Sequence, residues 1–303
     1  MATEREVEFA AFDGTILRGI LYLPERRNAP GVVRTAGFTF LKHNFVAQVA
    51  KHFQAAGYAA LIYDHRSWGS SSGTPRHNVN FFTQAADYSD AVTYLTTMSS
   101  EVDPDRIAIW GAGHAGGVVM LTSALDSRVK ASVLAMPFFS GERDSRFWPE
   151  GLWDRVWDER TKCHGESEGE YVPIFAESRE EADVNPEARL IGSAEAYDFW
   201  KACKQMSDEM GVEWENKVLL QSLFHMRHWE PNAYLPQLKS PVLWIMPKRE
   251  QFTSFETHVG AFHTIKAPKE ALSPGSGNLH AFTDTSIFDS VVQQQIDWLD
   301  RTL

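Results

Sequence analysis

Cysteine is scarce: only Cys163 and Cys203 carry thiols in 303 residues. Two cysteines make no disulfide framework, so the fold must stand on a packed core. Long hydrophobic runs are also missing, and no apolar stretch approaches the roughly 18 residues a membrane span needs. Basic residues are outnumbered, 29 Lys and Arg against 40 Asp and Glu, for a formal net charge of −11. Neutralising nucleic-acid phosphates takes clustered cations, so this balance argues against a nucleic-acid partner. Ordinary solubility accounts for the acidity. There is no internal repeat and no low-complexity segment. Residues Met1 to Phe9 carry Glu and Arg where a secretory leader has an apolar core, so a cytoplasmic location is expected.

What is present is a core former: 43% hydrophobic and 12% aromatic residues, enough for one large α/β domain with an insertion. Val7 to Ala11 and Ile16 to Leu23 read as strands around the turn Phe12-Asp13-Gly14-Thr15, a hairpin signal. Gly31 to Thr35 and Ala59 to Tyr63 read as strands. Between them Phe45, Val46, Val49 and Phe53 recur at helical spacing, and Gly57 closes that helix. A long helix is predicted over Phe82 to Met98, then strands at Ile107 to Trp110, Val129 to Met136 and Pro241 to Met246. Ile287 to Leu299 reads as an amphipathic terminal helix. Strands alternating with helices predict a mostly parallel sheet flanked by helices. Ser140 to Asn232 breaks the rhythm: it shows no clear strand, is rich in Trp and charge, and has helical pieces near 190–210 and 216–226. The expected organisation is a core of 1–139 and 233–303 with a helical cap of 140–232. The cap aromatics are expected to pack mainly on one another.

The chain is organised around Arg106 to Gly117. The apolar run Ile107 to Trp110 is followed by Gly111-Ala112-Gly113-His114-Ala115-Gly116-Gly117, and then by a helical pattern from Val118. Strand, sharp Gly-rich turn and helix make a nucleophile elbow, in which one exposed residue, ordinarily Ser, sits on a strained backbone between small neighbours. Here that position is Gly113, which has no side chain.

With Phe12 to Thr15, Tyr63 to Gly73, Asp103 to Gly111 and Pro241 to Leu243, the chain resembles the α/β-hydrolase superfamily. Within it, the chain is most similar to dienelactone-hydrolase-like proteins and the fungal polyketide-transferase-type group. The resemblance implies an α/β-hydrolase fold with an inserted helical cap and the chain order nucleophile, acid, histidine. Glu250, after the strand at 241–246, fits the acid; His280, in the loop before the last helix, fits the base. A carboxylate there orients an imidazole and stabilises its charged form. No covalent acyl-enzyme can form on Gly113. The oxyanion donors are main-chain N–H groups, so those of Phe38 and His114 remain available although Ala36-Gly37 replaces the usual His-Gly. His114 is either a proton donor beside the pocket or a helix-N-terminal packing residue.

Asp64, His65 and Arg66 end a strand at the sheet's carboxyl edge, where sites collect. Asp64 is a candidate for substrate binding, and an Asp64–Arg66 ion pair is the expected structural arrangement. His225 and His228 have metal-like spacing without a matching carboxylate or Cys, so no metal and no cofactor are expected. The reading is an enzyme without a nucleophile of its own: His280, oriented by Glu250, acts as acid or base on a water or substrate hydroxyl. The resemblance implies an apolar, polyketide-like small molecule of secondary metabolism. Epoxide opening with hydration or cyclisation, lactone hydrolysis by direct water attack, and lyase or isomerase chemistry stay open. So do a catalytically dead binding protein, a serine hydrolase or acyltransferase carrying an engineered change at Gly113, and a homodimer.

Overall fold

The computed structural model describes residues 1–98, 100–162, 169–246, 248, 253–274 and 285–303. An eight-stranded sheet runs through it. Its strands are β1 (Thr3–Ala10), β2 (Ile16–Leu23), β3 (Ala29–Thr35), β4 (Ala59–Tyr63), β5 (Val102–Ala112), β6 (Val129–Ala135), β9 (Val242–Ile245) and β10 (Lys269–Leu272). Spatial order is β1-β2-β4-β3-β5-β6-β9-β10. β1 and β2 are antiparallel additions and everything from β4 to β10 is parallel.

The central strands β3 and β4, and β5 from Ile107 onward, are buried and mainly apolar, as strands covered on both faces must be. Helices α1 (Phe45–Ala55), α2 (Phe81–Thr97), α3 (His114–Leu125) and the terminal α10 (Thr285–Thr302) flank the sheet. Asn80 starts α2: its side chain accepts from the N–H groups of Phe82 and Thr83, which satisfies donors no helix can satisfy internally. Among the described residues no helix is long and apolar enough to cross a membrane.

The two sheet edges differ from the sequence-based expectation. β1 begins at Thr3 rather than Val7, because Glu4, Arg5, Glu6 and Glu8 carry charge along an edge strand, a common protection of exposed edges. β10 is a four-residue parallel edge rich in polar residues, with no apolar alternation to betray it.

Between β6 and β9 lie helices α4 (Gly141–Asp144), α5 (Leu152–Lys162), α6 (Arg179–Val184), α7 (Ala194–Glu209) and α8 (Ser222–Arg227), followed after β9 by α9 (Phe255–Thr264). The segment also contains a small antiparallel pair, β7 (Tyr171–Val172) with β8 (Val218–Leu219); no strand was expected there. Its aromatics pack on one another, as Trp153 does on Trp157 and Trp200 on Trp214, both at 5.9 Å, and some also reach the core. Phe175 and Phe199 pack on Phe40 at ring distances of 5.7 and 5.1 Å. The Trp214 indole N–H donates to the Thr39 carbonyl at 2.7 Å. Asn44 donates to the Cys203 carbonyl at 3.0 Å and to Ser207 Oγ at 3.1 Å. The inserted helices are thus fastened to the loop after β3.

Close packing of α3 on the sheet depends on glycine. A Cβ on Gly117 would collide with the Phe138 carbonyl oxygen and come within 3.0 Å of Trp229 Nε1. Helix propensity alone favours Ala over Gly by about 1 kcal/mol. Gly117→Ala is nevertheless expected to destabilise by about 1–3 kcal/mol, because overpacking against main chain outweighs propensity. Chemical denaturation checks this, and a more stable variant would mean that the Phe138 main chain yields freely.

Candidate active site

The buried run of β5 ends in Trp110-Gly111-Ala112, and one residue later α3 begins. Gly113 makes the reversal with φ +52° and ψ −118°, a conformation side chains rarely adopt. Its N–H donates to the Ala135 carbonyl at 2.9 Å, and its carbonyl accepts from Phe138 N–H at 2.8 Å. The turn is therefore tied to the end of β6. Small residues surround it by necessity: a Cβ on Gly111 would run into the Ala115 main chain, and one on Gly116 would meet Pro137 at 2.8 Å. A Cβ on Gly113 itself would meet no atom within 4 Å.

That open space belongs to a cavity of about 410 Å³ between the carboxyl ends of the strands and the inserted helices. Gly37, Phe38, Gly113, His114 and Met136 lie on its sheet side. Phe175, Leu190, Ile191 and Phe199 come from the inserted segment. Met136 holds φ +46°, an unusual conformation for a long side chain and of the kind that gathers at functional sites. Asp144, Arg189, Ser193 and Thr253 are the polar residues lining a largely apolar space. Arg189 lies 2.7 Å from Glu181 and Asp144 lies 3.0 Å from Arg143, so both charges are paired.

His114 is buried, at 6% exposure. Its ring stacks on Phe81 at 4.1 Å and on Phe38 at 5.5 Å, and Phe81 stacks in turn on Trp229 at 5.0 Å. Its Nε2 lies 2.8 Å from Gln84 Oε1. Burial, and then the neighbouring His65, hold its titration well below that of an ordinary imidazole. The ring is neutral at neutral pH. His114 is thus packed in a ring stack and also lines the cavity.

Residues 13–278 match the family model described as X-Pro dipeptidyl-peptidase (S15 family). The chain belongs to the S15 family. Its fold is that of the α/β-hydrolases. Among curated proteins it is 31% identical to a thiohydrolase of Eupenicillium brefeldianum, over 92% of this chain and 88% of that one. It is 28% identical to a polyketide transferase of Stachybotrys chlorohalonatus, over 99% and 98% of the two chains. Among solved structures it is similar to the α/β hydrolase GrgF from Penicillium, with a TM-score of 0.81, 25% identity and 99% of both chains covered.

Within this S15-family chain the expected site residues fall in different places. Gly113, His114 and Phe38 come together on the cavity wall. Among the described residues no hydrogen bond occupies the Phe38 main-chain N–H. Glu250 and His280 lie outside the described residues. Asp64 lies in a buried clasp: its carboxylate accepts from Lys42 N–H at 2.8 Å, Lys42 Nζ at 2.6 Å and Ser70 N–H at 3.0 Å. The expected Asp64–Arg66 pair is not formed. Arg66 instead grips Asp87 at 2.5 Å and Asp13 at 2.7 Å, because the two side chains leave the strand end in different directions and each finds another partner. Burial pushes the Asp87 carboxyl up to about 6 against the pull of Arg66. His228 Nδ1–H donates to the Phe224 carbonyl, 2.7 Å away, and the ring packs on the Phe224 ring. Among the described residues no three metal-ligating side chains gather.

Sequence reasoning passed over Phe81 and Gln84. They stand three residues apart at the start of α2, on one helix face, and a polar residue on an otherwise apolar face was the available signal.

His65 lies behind His114, ring centres 6.0 Å apart, against Tyr63 and Tyr88. Burial lowers its pKa from 6.5 to about 4. Between those values the unfolded chain binds a proton that the folded chain refuses, so stability rises with pH across that window. Acidification from pH 6.5 to 4 is therefore expected to remove stability on the order of 3 kcal/mol through His65. His114 acts in the same direction. Denaturation across a pH series, with His65→Gln beside the parent, tests this; an unchanged slope in the variant would remove His65 as the cause.

Proposed function

We propose that this chain catalyses acyl chemistry on an apolar, polyketide-like small molecule, by direct attack of a water or substrate hydroxyl on a thioester, lactone or ester carbonyl. The observation that carries the reading is Gly113: an elbow backbone without a side chain, open to an apolar cavity. A hydroxyl group can stand where a nucleophile's own side chain would otherwise project. Relatives named thiohydrolase and polyketide transferase favour carbonyl chemistry over the epoxide, lyase and isomerase alternatives.

In this scheme the carbonyl oxygen rests against the main-chain N–H groups of Phe38 and His114. His280, assigned with Glu250 on chain order alone, takes the proton as the attacking oxygen bonds to the carbonyl carbon. The carbon–sulfur or carbon–oxygen bond then breaks, and His280 returns the proton to the leaving group. Glu250 orients the imidazole and steadies its charge. The neutral, buried His114 contributes its main-chain N–H rather than a proton.

Two experiments test the reading. Gly113→Ser completes a triad on this scheme, so it should acquire weak hydrolysis of a small aryl ester and stoichiometric labelling by a serine-directed phosphonate. The parent should not be labelled and should hydrolyse the aryl ester more slowly, and Gly113→Ser/His280→Ala should lose both gains. A well-folded Gly113→Ser without any gain would mean that acid and base are misassigned.

The second experiment uses the parent and an N-acetylcysteamine thioester of a medium-chain acid. His280→Ala should lower its turnover by roughly 10²- to 10⁴-fold, mainly in kcat, and Glu250→Gln by less. Near-parental turnover in His280→Ala would end the acid–base assignment.

A further inference from the structure

Gln84 is buried, at 1% exposure, among the apolar residues that α2 turns toward the sheet. Burying an amide is costly unless it is hydrogen-bonded, and its Oε1 meets His114 Nε2 at 2.8 Å. Phe81, on the same helix face, covers the flat side of that imidazole at 4.1 Å. One turn of α2 therefore holds His114 by a face and by an edge, while Phe38 closes the other face at 5.5 Å.

A neutral imidazole has one N–H and one lone pair. An amide oxygen only accepts, so facing Gln84 Oε1 the proton belongs on Nε2. Nδ1 is buried without a hydrogen-bond partner among the described residues. A bare acceptor there costs less than an orphaned N–H, which native structures very rarely bury. Both arguments select the same tautomer. The ring so held is the first side chain of α3, directly after the Gly113 reversal.

We propose that Gln84 is a positioning residue that fixes His114 as its Nε2–H tautomer. Through the clamped ring, it also fixes the Gly113–His114 turn that presents a main-chain oxyanion donor to the cavity. The second half rests on the reaction proposed above; the first does not. Productive sites tolerate displacements of only about 0.5 Å, and a ring held against Phe38 and Phe81 restricts the positions its main chain can take.

The test is nitrogen-15 NMR of the histidine rings on the full chain near pH 7, with His114 assigned by its loss in His114→Phe. The parent should show a protonated Nε2 and a lone pair at Nδ1. Gln84→Met, which keeps the volume and loses the acceptor, should populate the Nδ1–H form. Gln84→Glu, which keeps an acceptor, should retain the Nε2 proton. A parent that carries its proton on Nδ1, or a Gln84→Met variant that stays wholly Nε2–H, overturns the assignment. The parent spectrum decides even where a variant does not fold. For the turn, Gln84→Met is added to Gly113→Ser and aryl-ester hydrolysis is measured. A loss of about tenfold in kcat with KM little changed is expected, short of the roughly 10²-fold or more for removing an oxyanion donor outright. Unchanged kcat would overturn the positioning role. If Gly113→Ser hydrolyses nothing, the reaction scheme fails while the ring measurement still judges Gln84.

Discussion

The reversal at Gly113 is the constraint on which the site depends. A buried parallel strand must become a helix within one residue, and φ +52° with ψ −118° is how the backbone does it. That conformation requires small neighbours: Gly111 must clear the Ala115 main chain, and Gly116 and Gly117 must clear Pro137 and Phe138. In return the turn is stitched to β6 through Ala135 and Phe138. The start of α3 is thereby pressed against the cavity with its first N–H groups unpaired within the helix. The helix dipole adds partial positive charge at the same place.

Electrostatics inside the cavity follow from what is excluded. Among the described residues the walls are mainly aromatic and aliphatic, and the charges that reach it, Arg189 and Asp144, are paired. His114 and His65 are held neutral by burial. In such a low-dielectric space main-chain dipoles act at greater strength than in water. The neighbouring loops are fixed from outside the cavity. Lys42 and Ser70 close on Asp64, while Arg66 joins Asp87 and Asp13. The first clasp steadies the loop that carries Phe38, so charges outside the cavity help to fix its wall.

Much of this was readable along the chain. Apolar runs such as Ala59 to Tyr63 are buried on both faces of the sheet, and burial leaves a periodicity that needs no partner to interpret. The elbow was readable because its glycines serve local clearances. How the inserted helices attach was not, because Phe175 and Phe199 pack on Phe40 far along the chain, a long-range fact without local signature. Ion pairing failed for the same reason: Asp64 and Arg66 are near in sequence, yet their partners lie on other elements. β10 and the start of β1 were hidden by charge, since edge strands need not alternate. Glu250 and His280 rest on chain order alone.

The missing side chain has two physical consequences of opposite sign for function. A serine at this turn would hold a backbone conformation that costs on the order of 1–3 kcal/mol, and glycine adopts it with far less strain. The turn in this chain is thus relieved rather than loaded, and the nucleophile it might have displayed is gone. Decay of an enzyme into an inert fold would leave the same mark at Gly113. It would not require the rest of the site to stay assembled. Yet Phe38 and His114 still line the cavity beside Gly113. The cavity opens onto the very spot the side chain vacates, and two aromatic rings and an amide still grip the residue that follows. An amide buried to 1% exposure for one hydrogen bond to His114 is costly to retain where nothing depends on that ring. The turn keeps its geometry and its clamped neighbour without the strain that a side chain at Gly113 would add.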